Sequence, residues 1–296
     1  MHNHTATYWI NKAYSENWAI GMFNAHHLES FHAISRAANN TNSPLMISTT
    51  MGGIEHVGLN YFVKMAEAAR QNSKVPLILH LDHGSHYEII QECIDAGFNS
   101  VMIDASFESY DENVSIVRKV VEFAHKHNVG VEAQIGETLA EEGEIEGKER
   151  KTTVQEASQF VKDTGVDYLA ISIGSKPGQM EVLPTIDISL LIQISKTVNI
   201  PLVLHGGSGV PLNMYSKLVS NGISKINIDA AIKNAFKESS LSCIDVPPNI
   251  VDTYPFESIC LTLPLQSLYN ILLSLICNPT SIELHSVSVA KTFSPP

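Results

Sequence analysis

An α/β fold of the (β/α)8 TIM-barrel type is predicted by three features of this sequence. Eight short apolar runs occur along the chain, amphipathic segments alternate with them, and polar residues crowd at the C-terminal ends of the runs. Continuous apolar runs separated by helical periodicity imply parallel strands covered by helices. No Gly-rich first turn marks a doubly wound sheet, and eight units favour closure into a ring. A length of 296 residues suits one large barrel as well as two small domains, and 44% hydrophobic residues supply a sizeable core.

The elements follow in order. Ala19–Asn24 reads as the first strand, and Leu28, Phe31, Ile34 and Ala38 then recur at helical spacing within His26–Asn40. Pro44–Thr49 is the second run, with a helix near Leu59–Gln71; Pro76–His83 is the third, with a helix near His86–Ala96. Ser100–Ser106 is the fourth, followed by the periodic stretch Asp111–His127. Gly130–Gly136 is the fifth, then an acidic loop Glu137–Arg150 and a helix near Val154–Thr164. Tyr168–Gly174, Pro201–Gly207 and Lys225–Asp229 are the last three strands, with helices near Asp187–Thr197 and Leu212–Asn221 between them.

The polar residues at the strand ends are Asn24, Asp82 and His83, Asp104, His205, and Asn227 with Asp229. In a barrel all these ends open onto one face, where active sites form. Each residue alone has a structural explanation, since a strand-end Asp or Asn can cap the next helix. Five strand ends doing so together favour a shared pocket. Leu79–Gly84 (LHLDHG) puts a base beside a metal ligand. Leu204–Gly209 (LHGGSG) joins a histidine to flexible backbone able to cup a phosphate. Lys225–Asp229 (KINID) adjoins that loop, so the two can share a phosphate site.

The net charge of −12 argues against nucleic acid or an anionic membrane as the main partner, but not against a phosphorylated small molecule held by local backbone N–H groups. The four cysteines, Cys93, Cys243, Cys260 and Cys277, have no CxxC spacing, so no thiolate zinc site or redox dithiol is expected. The opening MHNHTATYWINK has no apolar signal core, and a cytoplasmic location is expected.

HLDHG, SVMIDAS, VEA-x-IGE, LHGGSG and KINID stand in an order and spacing that resembles the class II, metal-dependent fructose- and tagatose-bisphosphate aldolases, over about residues 8–238. The resemblance implies reversible cleavage of a ketose 1,6-bisphosphate to dihydroxyacetone phosphate and an aldehyde phosphate, in a dimer or tetramer. Asp82 matches the acid that protonates the aldehyde oxygen, and Glu142 the loop glutamate that moves the proton at the ketose carbon. His83 and His205 match two of three zinc-ligand histidines. Asp104 matches a ligand of a second metal position, at which Glu132 also remains. Gly178, Gly206, Gly207, Ser208, Asn227, Ile228 and Asp229 match the dihydroxyacetone phosphate pocket. Zinc would polarise the substrate carbonyl and hydroxyl and stabilise an enediolate.

Three positions depart from the family pattern. Pro177 stands where the third zinc histidine belongs, so the zinc site is expected to be incomplete. Gln134 replaces a glutamate of the second metal position, and Ala230 replaces a phosphate-binding threonine. His86 and Glu132 are candidates to restore the missing ligand. Lys176, beside it, reads as a solvated lysine, with a Schiff-base role as the bolder alternative. These departures support a second reading, an impaired paralogue that binds sugar phosphate without turnover.

Composition divides the chain at residue 240. From Leu241 onward only Asp245, Asp252, Glu257, Glu283 and Lys291 carry charge, and residues 241–296 read as an atypical tail, expected to come from a shifted or rearranged reading frame. Ile259–Cys277 is uncharged and long enough for a membrane span, but Pro264, Gln266, Ser267 and Asn270 argue against one.

Overall fold

The computed structural model describes residues 5–136, 150–178 and 184–244. Eight parallel strands close in sequence order: β1 (Ile20–Asn24), β2 (Leu45–Thr49), β3 (Leu77–Gly84), β4 (Ser100–Ile103), β5 (Gly130–Ile135), β6 (Tyr168–Ile171), β7 (Leu202–Leu204) and β8 (Ile223–Ile228). β8 returns to β1 with Ile20 opposite Lys225 and Met22 opposite Asn227, which seals the barrel. The helices are α1 (Ala6–Glu16), α2 (Leu28–Thr41), α3 (Met51–Val57), α4 (Leu59–Gln71), α5 (Tyr87–Asp95), α6 (Tyr110–Lys126), α7 (Val154–Thr164), α8 (Ile188–Thr197), α9 (Leu212–Val219) and α10 (Ala230–Ile244).

Strand alternation divides the core in two. Outward residues such as Phe23, Ile47, Leu79, Leu81, Val101, Val131, Leu169, Leu204, Ile226 and Ile228 pack against the helices in one continuous cluster. Inward residues near the strands' N-terminal ends, Ile20, Met22, Met46, Ile78, Tyr168, Ala170 and Val203, form a second cluster inside the barrel. Helix α1 closes that end. Thr5 caps it by accepting a hydrogen bond from the Tyr8 N–H, and Ala6, Ile10 and Ala13 pack onto the lumen cluster. Toward the opposite end the inward positions turn polar: Asn24, Ser48, His80, Asp82, Glu132, Gln134, Lys225 and Asn227 are all buried there.

All eight expected strands are present. Strands β4, β6 and β7 each end three residues before their apolar runs, where the chain turns into the loops that carry the functional residues. At β4, for instance, the Asp104 side chain accepts a hydrogen bond from the Ser106 N–H at 3.1 Å and bends the backbone out of the ladder. Helices α1, α3 and α10 are not anticipated by periodicity. Helix α1 has a narrow buried stripe with one large apolar residue, and α3 spends two of its seven positions on glycine, the poorest helix former after proline. Helix α10 is weakly amphipathic and carries helical backbone to Ile244, across the compositional boundary at residue 240. The rest of the tail lies outside the described residues, as does the uncharged run Ile259–Cys277. Among the described residues, no helix is long and apolar enough to cross a membrane.

Ile10 is fully buried between α1 and the barrel floor. Ile10→Ala is therefore expected to lower unfolding stability by roughly 2–5 kcal/mol in urea denaturation, through lost burial and the cavity left behind.

Candidate active site

The site is assembled at the C-terminal ends of β1, β3, β4, β5, β7 and β8. Asp82 and His83 are consecutive, so regular alternation would send them to opposite faces of the sheet. The register between β3 and β4 shifts between Leu81 and Gly84, and His83 adopts a left-handed backbone with φ 49°. This irregularity turns both side chains toward the mouth of the barrel. A left-handed histidine is a strained choice, costing on the order of 1–3 kcal/mol, and strain of this kind gathers at functional sites.

Asp82 is held from both sides. Asn24 Nδ2 donates to its Oδ2 at 3.1 Å and Asn227 Nδ2 donates to its Oδ1 at 3.1 Å. Asn24 is itself oriented by the Ser48 hydroxyl, which donates to its Oδ1. The carboxylate thus has a fixed plane and direction before any ligand arrives.

The two histidines meet edge to face. His83 Nε2 lies 2.9 Å from His205 Nδ1, and Asp82 Oδ1 lies 3.9 Å from His83 Nε2. Each imidazole gives its other nitrogen to a carboxylate: His83 Nδ1 is 2.6 Å from Asp104 Oδ2, and His205 Nε2 is 2.8 Å from Glu132 Oε1. Both carboxylates are ionised. Burial works against the charge on Asp104, but the hydrogen bonds from His83 and Ser106 hold it down at about 2. Burial likewise opposes charge on Glu132, and Lys225 and His205 outweigh it, keeping it well below the usual carboxylate range. An ionised carboxylate at these distances requires N–H on the ring nitrogen facing it. The two facing nitrogens are therefore the lone-pair nitrogens of both rings, and a cation must lie between them. Without a metal that cation is a proton. Burial lowers the His83 pKa, but Asp82, Asp104 and Glu132 together raise it to about 9.

This is the test the geometry offers for a metal, and two ligands pass it. Both imidazoles turn the nitrogen that faces no carboxylate toward one point, and a carboxylate fixes each ring from behind, as metal-ligating histidines generally require. Asp82, His83 and His205 form a group whose ligand atoms lie within 4.8 Å of one another. Among the described residues no third histidine joins the group. A Cβ on Gly206 would lie 2.7 Å from the Lys176 carbonyl carbon and 2.8 Å from Pro177 N, so Pro177 sits directly beside the His205 loop. Only glycine, at φ 66°, allows that approach. The ring at 177 offers no donor atom.

The other expected metal residues stand one step back. Asp104 takes His83 and Ser106, and Glu132 takes His205 and Lys225, so neither adds an oxygen to the group of three. Gln134 Nε2 donates to Ser106 Oγ at 3.2 Å, joining the hydrogen-bond chain that ends on Asp104 and His83. His86 is exposed and pairs with Ser85 Oγ at 2.9 Å, away from the cluster. Lys176 is partly exposed on the β6 loop.

All the expected phosphate residues but Gly178 come together between β7, β8 and α10. A short 3-10 turn, Gly207–Gly209, follows His205. Gly207 lies so close to β8 that a Cβ would meet Asn227 O at 2.8 Å and Ile228 Cδ1 at 2.8 Å. Ser208 Oγ accepts from the Ala231 N–H at 3.1 Å, tying this turn to the start of α10. Ile228 points into the outer core and can offer only backbone to the site. Asp229 pairs with His26 Nε2 at 2.8 Å and Lys233 Nζ at 2.9 Å. Gly178 has φ 71° and is exposed at the end of the described β6 loop. Glu142 lies outside the described residues.

Sequence reasoning singled out Asn24 only as a polar strand end, and it missed Lys225. Lys225 has no solvent exposure and sits two residues before Asn227, on the same inward face of β8. That alternation was the available signal. Deeper still, burial and Lys225 push the His80 pKa down to about 3, so His80 is a neutral partner of Ser100.

A closed parallel barrel with paired imidazoles and a clamped carboxylate at its C-terminal face has the form of a barrel enzyme. The family model described as fructose-bisphosphate aldolase class-II matches residues 4–257. A fructose-bisphosphate aldolase of Helicobacter pylori is 36% identical over 252 residues, covering 76% of this chain and 82% of that protein. Among solved structures, the YdjI aldolase of Escherichia coli superposes with a TM-score of 0.80 at 28% identity, covering 91% of this chain and 95% of that one. The fructose-bisphosphate aldolase of Campylobacter jejuni shares the fold with a TM-score of 0.74 at 23% identity, covering 90% and 93%. The chain belongs to the class II fructose-bisphosphate aldolase family.

The raised His83 pKa makes a signed prediction for the metal-free protein. Its contribution to stability is full below the unfolded value of 6.5 and is lost as pH rises through about 9. Unfolding free energy should fall between pH 6.5 and 9 by up to roughly 3 kcal/mol. Asp104→Asn should flatten that slope, which chemical denaturation at stepped pH would measure.

Proposed function

We propose that this chain is a ketose-1,6-bisphosphate aldolase that cleaves its substrate reversibly to dihydroxyacetone phosphate and an aldehyde phosphate. The observation that carries the reading is the pair of facing imidazole nitrogens, each backed by a carboxylate, beside the doubly clamped Asp82. His83 and His205 hold a divalent metal, zinc on the family's pattern, and when bound it supplies Lewis-acid polarisation of the substrate oxygens. Asp104 and Glu132 act behind them, fixing the ring orientations and the proton positions. Asp82, on the same face, is positioned to give and take the proton at the aldehyde oxygen. Glu142 is the proposed proton carrier at the ketose carbon.

The turn Gly206–Gly207–Ser208, the backbone at Asn227, Ile228 and Asp229, and Gly178 form the proposed phosphate cradle. Its support is the close packing of this turn on β8 and the start of α10, where backbone N–H groups favour an anion. On the family's pattern the enzyme works in carbohydrate metabolism, in glycolysis, in the cytoplasm, as a dimer or tetramer.

Pro177 favours a second reading, a paralogue that binds sugar phosphate with little or no turnover. Catalytic zinc generally keeps three protein ligands, and this site supplies two imidazoles. The two readings separate in one experiment: zinc content of the purified protein and aldol cleavage, measured beside Pro177→His. Stoichiometric zinc with full wild-type activity supports the enzyme. Activity that appears only in Pro177→His, with metal affinity raised by an order of magnitude or more, supports the impaired paralogue. In whichever form is active, Asp82→Asn should lower kcat by about 10²–10⁴-fold while leaving the metal bound, because the amide keeps the shape and loses the proton transfer.

A further inference from the structure

Beneath the histidine pair lies a sealed ion pair whose lysine has no part in the reaction as described above. Lys225 and Glu132 are both without solvent exposure, and Lys225 Nζ is 2.8 Å from Glu132 Oε2. The same ammonium donates to Asn227 Oδ1 at 2.7 Å. A buried ion pair is poor evidence of a stabilising role, because desolvating two charges offsets their attraction, and apolar residues of like volume often serve a core as well. What this pair supplies is direction.

A lysine ammonium has three donors and no acceptor. The atom it meets on Asn227 must be the carbonyl oxygen, and this turns the amide nitrogen toward Asp82 Oδ1 at 3.1 Å. Reversing that amide would set N–H against ammonium on one side and oxygen against carboxylate on the other. Along the second arm, Lys225 engages Glu132 Oε2 and leaves Oε1 to face His205 Nε2 at 2.8 Å. That contact keeps the ring proton on Nε2 and leaves His205 Nδ1 as a lone pair opposite His83 Nε2. Asn227 Nδ2 lies 3.2 Å from the same His205 Nε2 and donates one of its two hydrogens to Asp82 Oδ1.

We propose that Lys225 is a positioning residue for the aldolase reaction, setting the amide direction of Asn227 and, through Glu132, the proton-bearing nitrogen of His205. Its second arm rests on the reading of His205 as a metal ligand. The ammonium touches neither substrate nor metal. It makes two separate parts of the site, the clamp on Asp82 and the donor nitrogen of His205, depend on one charge.

The test pairs Lys225→Met with Glu132→Gln, so that no lone charge is left buried. Three quantities are read on the full chain: the ¹⁵N signals of the His205 ring without metal, cobalt(II) affinity by visible absorption, and the melting temperature. In the wild type, His205 should carry its proton on Nε2. The folded double variant should show a mixture of tautomers and bind cobalt about 10–100-fold more weakly, the usual scale for losing an outer partner of a ligand histidine. Its kcat should fall more than its KM rises. A wild-type His205 with no proton on Nε2 overturns the proposal, whether or not the variant folds. So does a folded variant with the wild-type tautomer and cobalt affinity within twofold. A wild type that has the Nε2 proton and loses it in the variant, yet takes up no cobalt, supports the positioning role and counts against the metal reading alone.

Discussion

His83 Nε2 and His205 Nδ1 face each other at 2.9 Å with a carboxylate bound behind each ring, and this contact organises the rest of the site. Two lone pairs at that distance repel, so the arrangement requires a positive charge between them. The protein supplies anions on every side, Asp82 in front and Asp104 and Glu132 behind. It then stabilises those anions in turn, with Ser106 on Asp104 and Lys225 on Glu132. The barrel mouth is thereby tuned for a cation even though the chain's polar groups there are largely satisfied by one another.

That arrangement explains how the fold divides its labour. Helix α1 and an apolar plug fill the lumen at the N-terminal end of the strands, so the charged network occupies only the opposite half. The helices outside bury the alternate residues of each strand in a continuous apolar shell. The inward polar residues are consequently held on strands above an apolar floor, where hydrogen bonds are directional and unpaired charges are costly. The irregularity at the end of β3 is the exception, and it is what brings two consecutive residues, Asp82 and His83, to the same face.

Against this background the departures from the family pattern have distinct consequences. Gln134 keeps its place in the hydrogen-bond chain through Ser106 to Asp104, so the loss of a negative charge there leaves the support of His83 intact. Pro177 is different in kind. It lies against Gly206 in the loop that follows His205 and contributes no donor atom. The impairment reading therefore draws on Pro177 and Ala230 more than on Gln134, while the carboxylate partners of the two histidines are in place.

Much of the fold was legible without coordinates, because strand and helix periodicities are local and each of the eight strands carries its own apolar run. The convergence of Asp82, His83, Asp104, His205 and Asn227 was legible as well, since a parallel barrel sends all strand ends to one face. Helices α1, α3 and α10 were not, because their burial comes from packing onto the barrel and not from a strong stripe of their own. Nor could sequence alone separate residues that face the point between the two imidazoles from residues that stand behind it. Asp104 and Glu132 are acidic strand residues like Asp82, and only the direction of each carboxylate decides its part. Lys225 shows the same limit. By itself it is one basic residue in an apolar strand; enclosed in the barrel, with Glu132 and Asn227 as its partners, it becomes the charge on which the orientation of the site depends.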